Sequence, residues 1–238
     1  MQHIESDVII LKPTPSFLSF LTEQQPDIDL HDLRSLKVNH TAYTIAKCDS
    51  DESTLDEIER HFPAMFRHEI CRLLGENACN HFEGSFLDFL MCFKFELHSQ
   101  IVVMEPSIDK GHQLLCVKPR SVLLKWIKTT MAKQQSVPSE VFECMNLAHI
   151  TENATVLVKN FEHLSDVKPF IQQYYRPIFK AEMLRMCTDA DQWPEIDTFQ
   201  MFRRYFAVEI HTQLIHLNAS SPTLRNVHYP RTCDALNA

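Results

Sequence analysis

Histidines, cysteines, lysines and carboxylates are where this sequence could carry chemistry, and spacing tests most of them. His68-Glu69 opens the pattern of a zinc hydrolase, which needs a second histidine four residues after the first so that both rings face one ion. That position is Arg72. His61 and His68 share a helical face, but seven residues at a 1.5 Å rise put them about 10 Å apart, too far for a single ion. His211 and His216 point roughly 140° from one another on an ideal helix. A metal site assembled from distant segments is the one arrangement left open, so neither a metal nor a cofactor is expected. The H-x-E and P-C-x-x-C pattern of zinc deaminases is absent. Cys79-Asn80-His81 is the most suggestive group for covalent chemistry, since a thiol near a helix start ionises more readily. Adjacency in sequence does not make a productive pair, and no catalytic residue is assigned. Glu57 and Glu59 lie in an acidic run that solvation and helix capping explain.

Four strand-like segments end in lysine before a helix: VIILK (Lys12), TAYTIAK (Lys47), LLCVK (Lys118) and VLVK (Lys159). If those strands run parallel, their lysines gather at one carboxyl edge, where open α/β sheets bind ligands, and could hold a small anion. One matched residue type falls short of an internal repeat, and lysine is a common solvated strand end.

The segment from Gln113 to Ser139 holds Lys118, Arg120, Lys125, Lys128 and Lys133 and no acid, while the whole chain carries a formal charge of −8. Lys125 and Lys128 share one face of a predicted helix whose other side is apolar. Arg120, Lys125, Lys128 and Lys133 are therefore the candidate partner-binding residues, suited to an acidic protein; anionic lipid is a weaker fit. Tyr174, Tyr175 and Arg176, with Arg203, Arg204 and Tyr205, resemble the aromatic and arginine clusters of single-strand binders. Such rows are commonly core, and the acidic total argues against nucleic acid.

Only 3 glycines occur in 238 residues, against the roughly 17 of average usage. Gly75, Gly84 and Gly111 are too widely spaced for a dinucleotide-binding turn or a P-loop, where a backbone packed on phosphate leaves no room for Cβ. The G-x-S-x-G elbow of hydrolases is excluded as well. Any site must be built from side chains. Eight cysteines contain no C-x-x-C and read as small buried hydrophobes in a reducing compartment. Three N-x-S/T triplets begin at Asn39, Asn153 and Asn218. No basic n-region precedes an apolar stretch at the start, and a cytoplasmic location is the expectation.

The elements that would position these groups follow from periodicity. DVIIL reads as a buried strand, Thr14-Pro15 as the cap of a helix to Gln24, and TAYTIAK as a second strand. An acidic capped helix follows, with Pro63 restarting or kinking it and Gly75 as its stop. SFLDFLMCFKF is apolar on nearly every face and is either a central helix or a helix running into a strand. IVVME and QLLCV look like a hairpin, and ATVLVK like a fifth strand. In the last third, Phe199, Phe202, Phe206 and Ile210 recur at three and four, predicting one helix from Asp197 to Leu217. The expected fold is α+β and predominantly helical: one globular domain over 1–218, a sheet of about four to five strands covered by helices, an all-helical 160–218, and a loose tail over 219–238. The expected function is a non-enzymatic interaction protein, such as an adaptor, assembly factor or secretion-chaperone-like subunit. The alternative is an enzyme with a dispersed site for a small anionic substrate.

Overall fold

Alternation along the first strand, β1 (Ser6–Pro13), sets the architecture. Val8 and Ile10 point to one face and Ile9 and Leu11 to the other, and all four are buried. Both faces of the strand are therefore covered. The computed structural model describes residues 6–26, 28, 36, 39–75, 84–103, 113–130 and 139–217. After β1 come α1 (Pro15–Gln24), β2 (Thr41–Ala46), α2 (Asp51–Leu74), α3 (Phe86–Cys92), β3 (Phe93–His98) and β4 (Ile101–Val103). The second half runs β5 (Gln113–Pro119), α4 (Ser121–Thr130), α5 (Ser139–Cys144), α6 (Leu147–Thr151), β6 (Val156–Lys159), α7 (Val167–Met186), α8 (Phe199–Tyr205), β7 (Phe206–His211) and β8 (Leu214–His216).

The helix-rich α+β class agrees with the sequence reading, but the strands form two four-stranded sheets rather than one. Their orders are β3-β1-β2-β8 and β4-β6-β5-β7. Antiparallel pairing joins β1 to β2 and β3, and in the same way β5 to β6 and β7. The fourth strand of each sheet is parallel and comes from the other half of the chain: β8 on β2, and β4 on β6. Reciprocal exchange of this kind gives the pairing pattern a two-fold symmetry. Neither half can leave without unpairing both exchanged strands.

Three cores follow from the alternation. Ile9, Leu11, Tyr43 and Ile45 pack on Phe17, Leu21, Phe66, Ile70 and Phe89 from α1, α2 and α3. Leu115, Val117 and Leu157 pack on α4, α7 and α8. Val8, Ile10 and Ala42 of one sheet meet Leu114, Cys116, Val156 and Val158 of the other. The layers are thus helices, sheet, sheet, helices.

Sequence repetition underlies this symmetry. The segment SFLDFLMCFKFELHSQIVV (85–103) aligns without a gap on TFQMFRRYFAVEIHTQLIH (198–216), with phenylalanine at three positions and Glu, His and Gln at three more. Strand registers agree: Ile10 opposes Glu96, and Cys116 opposes Glu209. Lys12-Pro13 and Lys118-Pro119 are likewise counterparts, the prolines opposing Phe93 and Phe206. Even the helix entries match, since Thr14 N–H donates to Cys92 O at 2.9 Å and Arg120 N–H to Tyr205 O at 2.8 Å.

Several expectations need correction. The last third is not all helical: α8 ends at Tyr205 and the chain continues as β7. Phe206 and Ile210 fit a helical stripe, yet with Val208 they also fit a strand face, and the strand prevails. The same helix-to-strand passage occurs in α3 and β3. IVVME and QLLCV do not form a hairpin, because β6 lies between β4 and β5. Pro63 lies inside the continuous α2, which Ser50 caps in a box with Ser53, and Gly75 ends it at φ 82°. Cys71 is disulfide-bonded, departing from the fully reduced reading, while Cys48, Cys92, Cys116, Cys144 and Cys187 are free. Gly111, Cys79-Asn80-His81, Lys133 and the tail 219–238 lie outside the described residues. No described helix is long and apolar enough to cross a membrane.

Candidate functional site

The inter-sheet layer is apolar at one end and charged at the other. Lys12 on β1, Glu96 and His98 on β3, Cys116 and Lys118 on β5, and Glu209 and His211 on β7 alternate onto this layer because each is an even number of residues from an inward neighbour. Both lysines converge on one carboxylate: Lys12 Nζ pairs with Glu96 Oε2 and Lys118 Nζ with Glu96 Oε1. Lys118 Nζ also lies 3.7 Å from Glu209 Oε2. Two lysines and two glutamates thus balance in charge. Burial pushes the Lys118 ammonium down to about 7, with Glu209 opposing and Lys12 reinforcing the shift.

The histidines beside this cluster repeat the symmetry. His98 Nδ1 lies 2.9 Å from Ala154 O, and His211 Nδ1 lies 3.1 Å from His40 O. In each case a residue of one half holds the backbone just before a strand of the other. Next to them, Ser99 Oγ donates to Asn153 Oδ1 at 3.2 Å, and Asn39 Nδ2 donates to Thr212 Oγ1 at 2.6 Å. Two of the three N-x-S/T triplets therefore serve as clamps on the β3-β4 and β7-β8 turns.

His40 and His211 face one another with ring centroids 5.8 Å apart. Burial lowers both, His40 to about 4 with help from the Lys12 and Lys118 charges, and His211 to about 3 with help from His40. A folded-state pKa below the unfolded value of about 6.5 means stability is complete above that value and is lost as pH falls through the folded pKa values. Two protons taken up only on unfolding make the contribution of this pair to the slope about 2.7 kcal/mol per pH unit between roughly pH 6 and 4. His40→Ala, which installs the residue type of its counterpart Ala154, is expected to reduce that slope by about 1.4 kcal/mol per unit. Urea midpoints across this pH range measure it, and an unchanged slope would refute the assignment.

A second repeated pair anchors each outer core. Glu69 on α2 accepts from Tyr43 Oη at 2.8 Å and Arg72 Nη2 at 2.7 Å. Glu182 on α7 accepts from Thr155 N–H and from Arg185 Nη2 at 3.0 Å. Burial alone would raise the Glu69 carboxyl, but Arg72 and His68 outweigh it and hold it well below the usual carboxylate range. Tyr43 is raised by burial and by the Glu69 charge.

Of the four strand-end lysines, the structure brings together only Lys12 and Lys118. Antiparallel pairing sends Lys47 to the opposite end of β1-β2, where it is exposed, and Lys159 to the opposite end of β5-β6. There Lys159 Nζ stands 5.5 Å from the ring centroids of Phe161 and Phe170. The premise of a parallel edge is thus corrected, and the lysines that do meet already share a carboxylate. Arg120, just before α4, and Lys125 on it are exposed, while Lys128 Nζ donates to Glu143 O at 3.1 Å. Tyr175 Oη and Arg176 Nη2 both donate to Asp197 O, fixing the approach to α8.

The outer helices differ between halves. On α3, Leu87 is 66% exposed, Met91 58% and Leu90 37%. Their counterparts on α8 are Gln200, Arg203 and Arg204. Met91 also lines a cleft of about 340 Å³ with Ser16, Phe20, Phe66, Gly84, Asp88 and Cys92. Sequence reasoning missed this face because it treated the segment as uniformly apolar. Aligning it with 198–216 exposes the contrast. Compared with models of protein families, with curated proteins and with solved structures, the chain shows no match.

Proposed function

We propose that this chain is a non-enzymatic interaction protein that docks a protein partner on the outer face of α3. The contrast between equivalent helices carries the reading. Fold requirements cannot explain Leu87, Leu90 and Met91, since the same positions of α8 do the same structural work with Gln200, Arg203 and Arg204. Large exposed apolar side chains at i, i+3 and i+4 form one surface, and contiguous apolar patches of this kind mark interaction sites. The adjacent cleft would receive an apolar anchor from the partner beside Phe20 and Met91. A cytoplasmic setting belongs to this proposal, favoured by the five free thiols among the described residues, with the Cys71 disulfide as the one observation against it. At the start of α4 and on it, Arg120 and Lys125 remain available to an acidic part of the same partner.

The test copies one repeat onto the other. The triple variant Leu87→Gln, Leu90→Arg, Met91→Arg is expected to change stability by less than about 1 kcal/mol, as surface substitutions do. A partner recovered with the wild-type protein, identified by mass spectrometry and purified, should bind the wild type and not the variant in a calorimetric titration. Equal affinity for both would eliminate α3 as the docking face.

A further inference from the structure

We propose that Glu96, His98 and Cys116 form a binding site for one zinc-class divalent ion. The carboxylate oxygen, the His98 Nε2 and the Cys116 sulfur lie within 4.8 Å of one another. His98 Nε2 is 2.9 Å from Glu96 Oε1 and 3.6 Å from Cys116 Sγ, and Cys116 Sγ is 3.9 Å from Glu96 Oε1. These three donors come from β3 and β5, held at the sheet interface by strand register rather than by a loop.

The three donors converge on one point beside the Lys12 and Lys118 pairs with Glu96. Ala154 O can only accept, so the His98 Nδ1 facing it carries the proton. In the neutral ring Nε2 is then a lone pair, and it faces Glu96 Oε1, the oxygen that Lys118 also approaches. Two acceptors cannot satisfy one another across 2.9 Å. Without an ion, the Cys116 thiol at 3.6 Å can serve Nε2 while Lys118 serves the carboxylate; an ion would take a lone pair from all three donors. Orientation of the imidazole by a backbone carbonyl on its other nitrogen is the usual outer-shell arrangement of a metal-binding histidine.

Thiolate, imidazole and carboxylate together select zinc over magnesium or calcium, and three protein donors leave one tetrahedral position for water. Binding releases the Cys116 proton. Lys118 then passes from Glu96 to Glu209, whose Oε2 lies 3.7 Å away and has no hydrogen-bond partner among the described residues. Glu209 is 44% exposed and Lys12 34%, which opens this end of the layer to the entering ion. The other half supplies an internal control. His211 repeats the carbonyl contact, but the counterpart of Cys116 there is Ile10. One ion per chain is therefore expected, not two.

Cobalt(II) titrated into chelator-treated, folded protein is the direct probe. The expected result is one equivalent showing tetrahedral absorption and a thiolate-to-cobalt charge-transfer band, both displaced by zinc. Cys116→Ala should remove the charge-transfer band and weaken affinity by at least the roughly 10–100-fold that losing an outer-shell partner costs. Cys116→Ile, copying the other repeat, gives a second variant should the first lose its fold. Absence of the band in folded wild-type protein overturns the site. So does a band that survives in the Cys116 variants, which would place binding at another of the cysteines.

Discussion

Replacing Glu96 by alanine is expected to destabilise the protein by about 3–5 kcal/mol, the cost of removing one partner from a buried charge network. Glu96 is the only carboxylate touching both Lys12 and Lys118 in the described structure. Without it Lys118, 9% exposed, keeps only Glu209 at 3.7 Å. Lys12 can extend to water along its apolar stem and loses less. Glu96→Gln should cost nearly as much, because an amide cannot neutralise two ammonium groups. Adding Lys118→Met to Glu96→Ala is expected to recover part of the loss, since it removes the stranded charge. Glu209→Ala, at a partly exposed position, should cost less than about 1 kcal/mol. Urea unfolding of the four variants, in chelator to exclude metal linkage, measures the series. A loss below about 1 kcal/mol for Glu96→Ala would show that the cluster opens to water and is not a buried network.

That asymmetry between Glu96 and Glu209 bears on how much of the molecule could be read from its sequence. Periodicity located β1, β2, β5, β6 and most helices, because their apolar stripes are local properties. Pairing is not local. QLLCV was adjacent to IVVME in sequence, but β6 satisfies the parallel edge of β4 and the antiparallel edge of β5 at once, and no residue of the short connection announces it. The lysine recurrence pointed the right way for Lys12 and Lys118, which are true counterparts, and the wrong way for Lys47 and Lys159. Register makes Ile45, not Lys47, the counterpart of Lys159, since Ala42 and Val156 occupy equivalent places beside Ile10 and Cys116.

The decisive signal was F-x-x-F-x-x-x-F-x-x-E-x-H-x-Q, present from Phe86 to Gln100 and again from Phe199 to Gln213. The matched phenylalanines, glutamates and histidines each have a structural reason. The phenylalanines cross from helix to strand on one face. The glutamates oppose the inward residues Ile10 and Cys116 and the histidines hold a carbonyl of the other half, while the backbone carbonyls of Gln213 and Gln100, which any residue would supply, accept from Ala42 and Val156 N–H at 2.9 and 3.0 Å. A helical stripe read over 197–217 alone hid this, because the spacing of Phe202, Phe206 and Ile210 satisfies both periods. Convergence of Glu96, His98 and Cys116 was beyond reading in sequence, since the thiol lies eighteen residues away on a strand of the other sheet.

The same repetition predicts a large effect far from the charged layer. Glu182→Ala is expected to cost about 3–5 kcal/mol, because the carboxylate is fully buried and its loss strands both the Thr155 N–H and the Arg185 guanidinium. Arg185 also donates to Ile150 O at 2.9 Å and Glu152 O at 3.1 Å, so the end of α6 loosens with it. Glu182→Gln retains an oxygen for Thr155 but not the charge opposite Arg185, and should cost about half as much. The counterpart Glu69 holds Tyr43 and Arg72 in the other outer core, and Glu69→Ala should cost a similar amount. The two glutamates lie in separate cores and share no partner among the described residues, so their losses should add to about 6–10 kcal/mol. That total consumes most of the roughly 5–15 kcal/mol by which a domain is stable, and the double variant should be unfolded or nearly so at 25 °C by circular dichroism. A folded double variant with near wild-type melting would mean that neither Glu-x-x-Arg pair supports its core. Sub-additive losses would mean that the two cores unfold as separate units despite their exchanged strands.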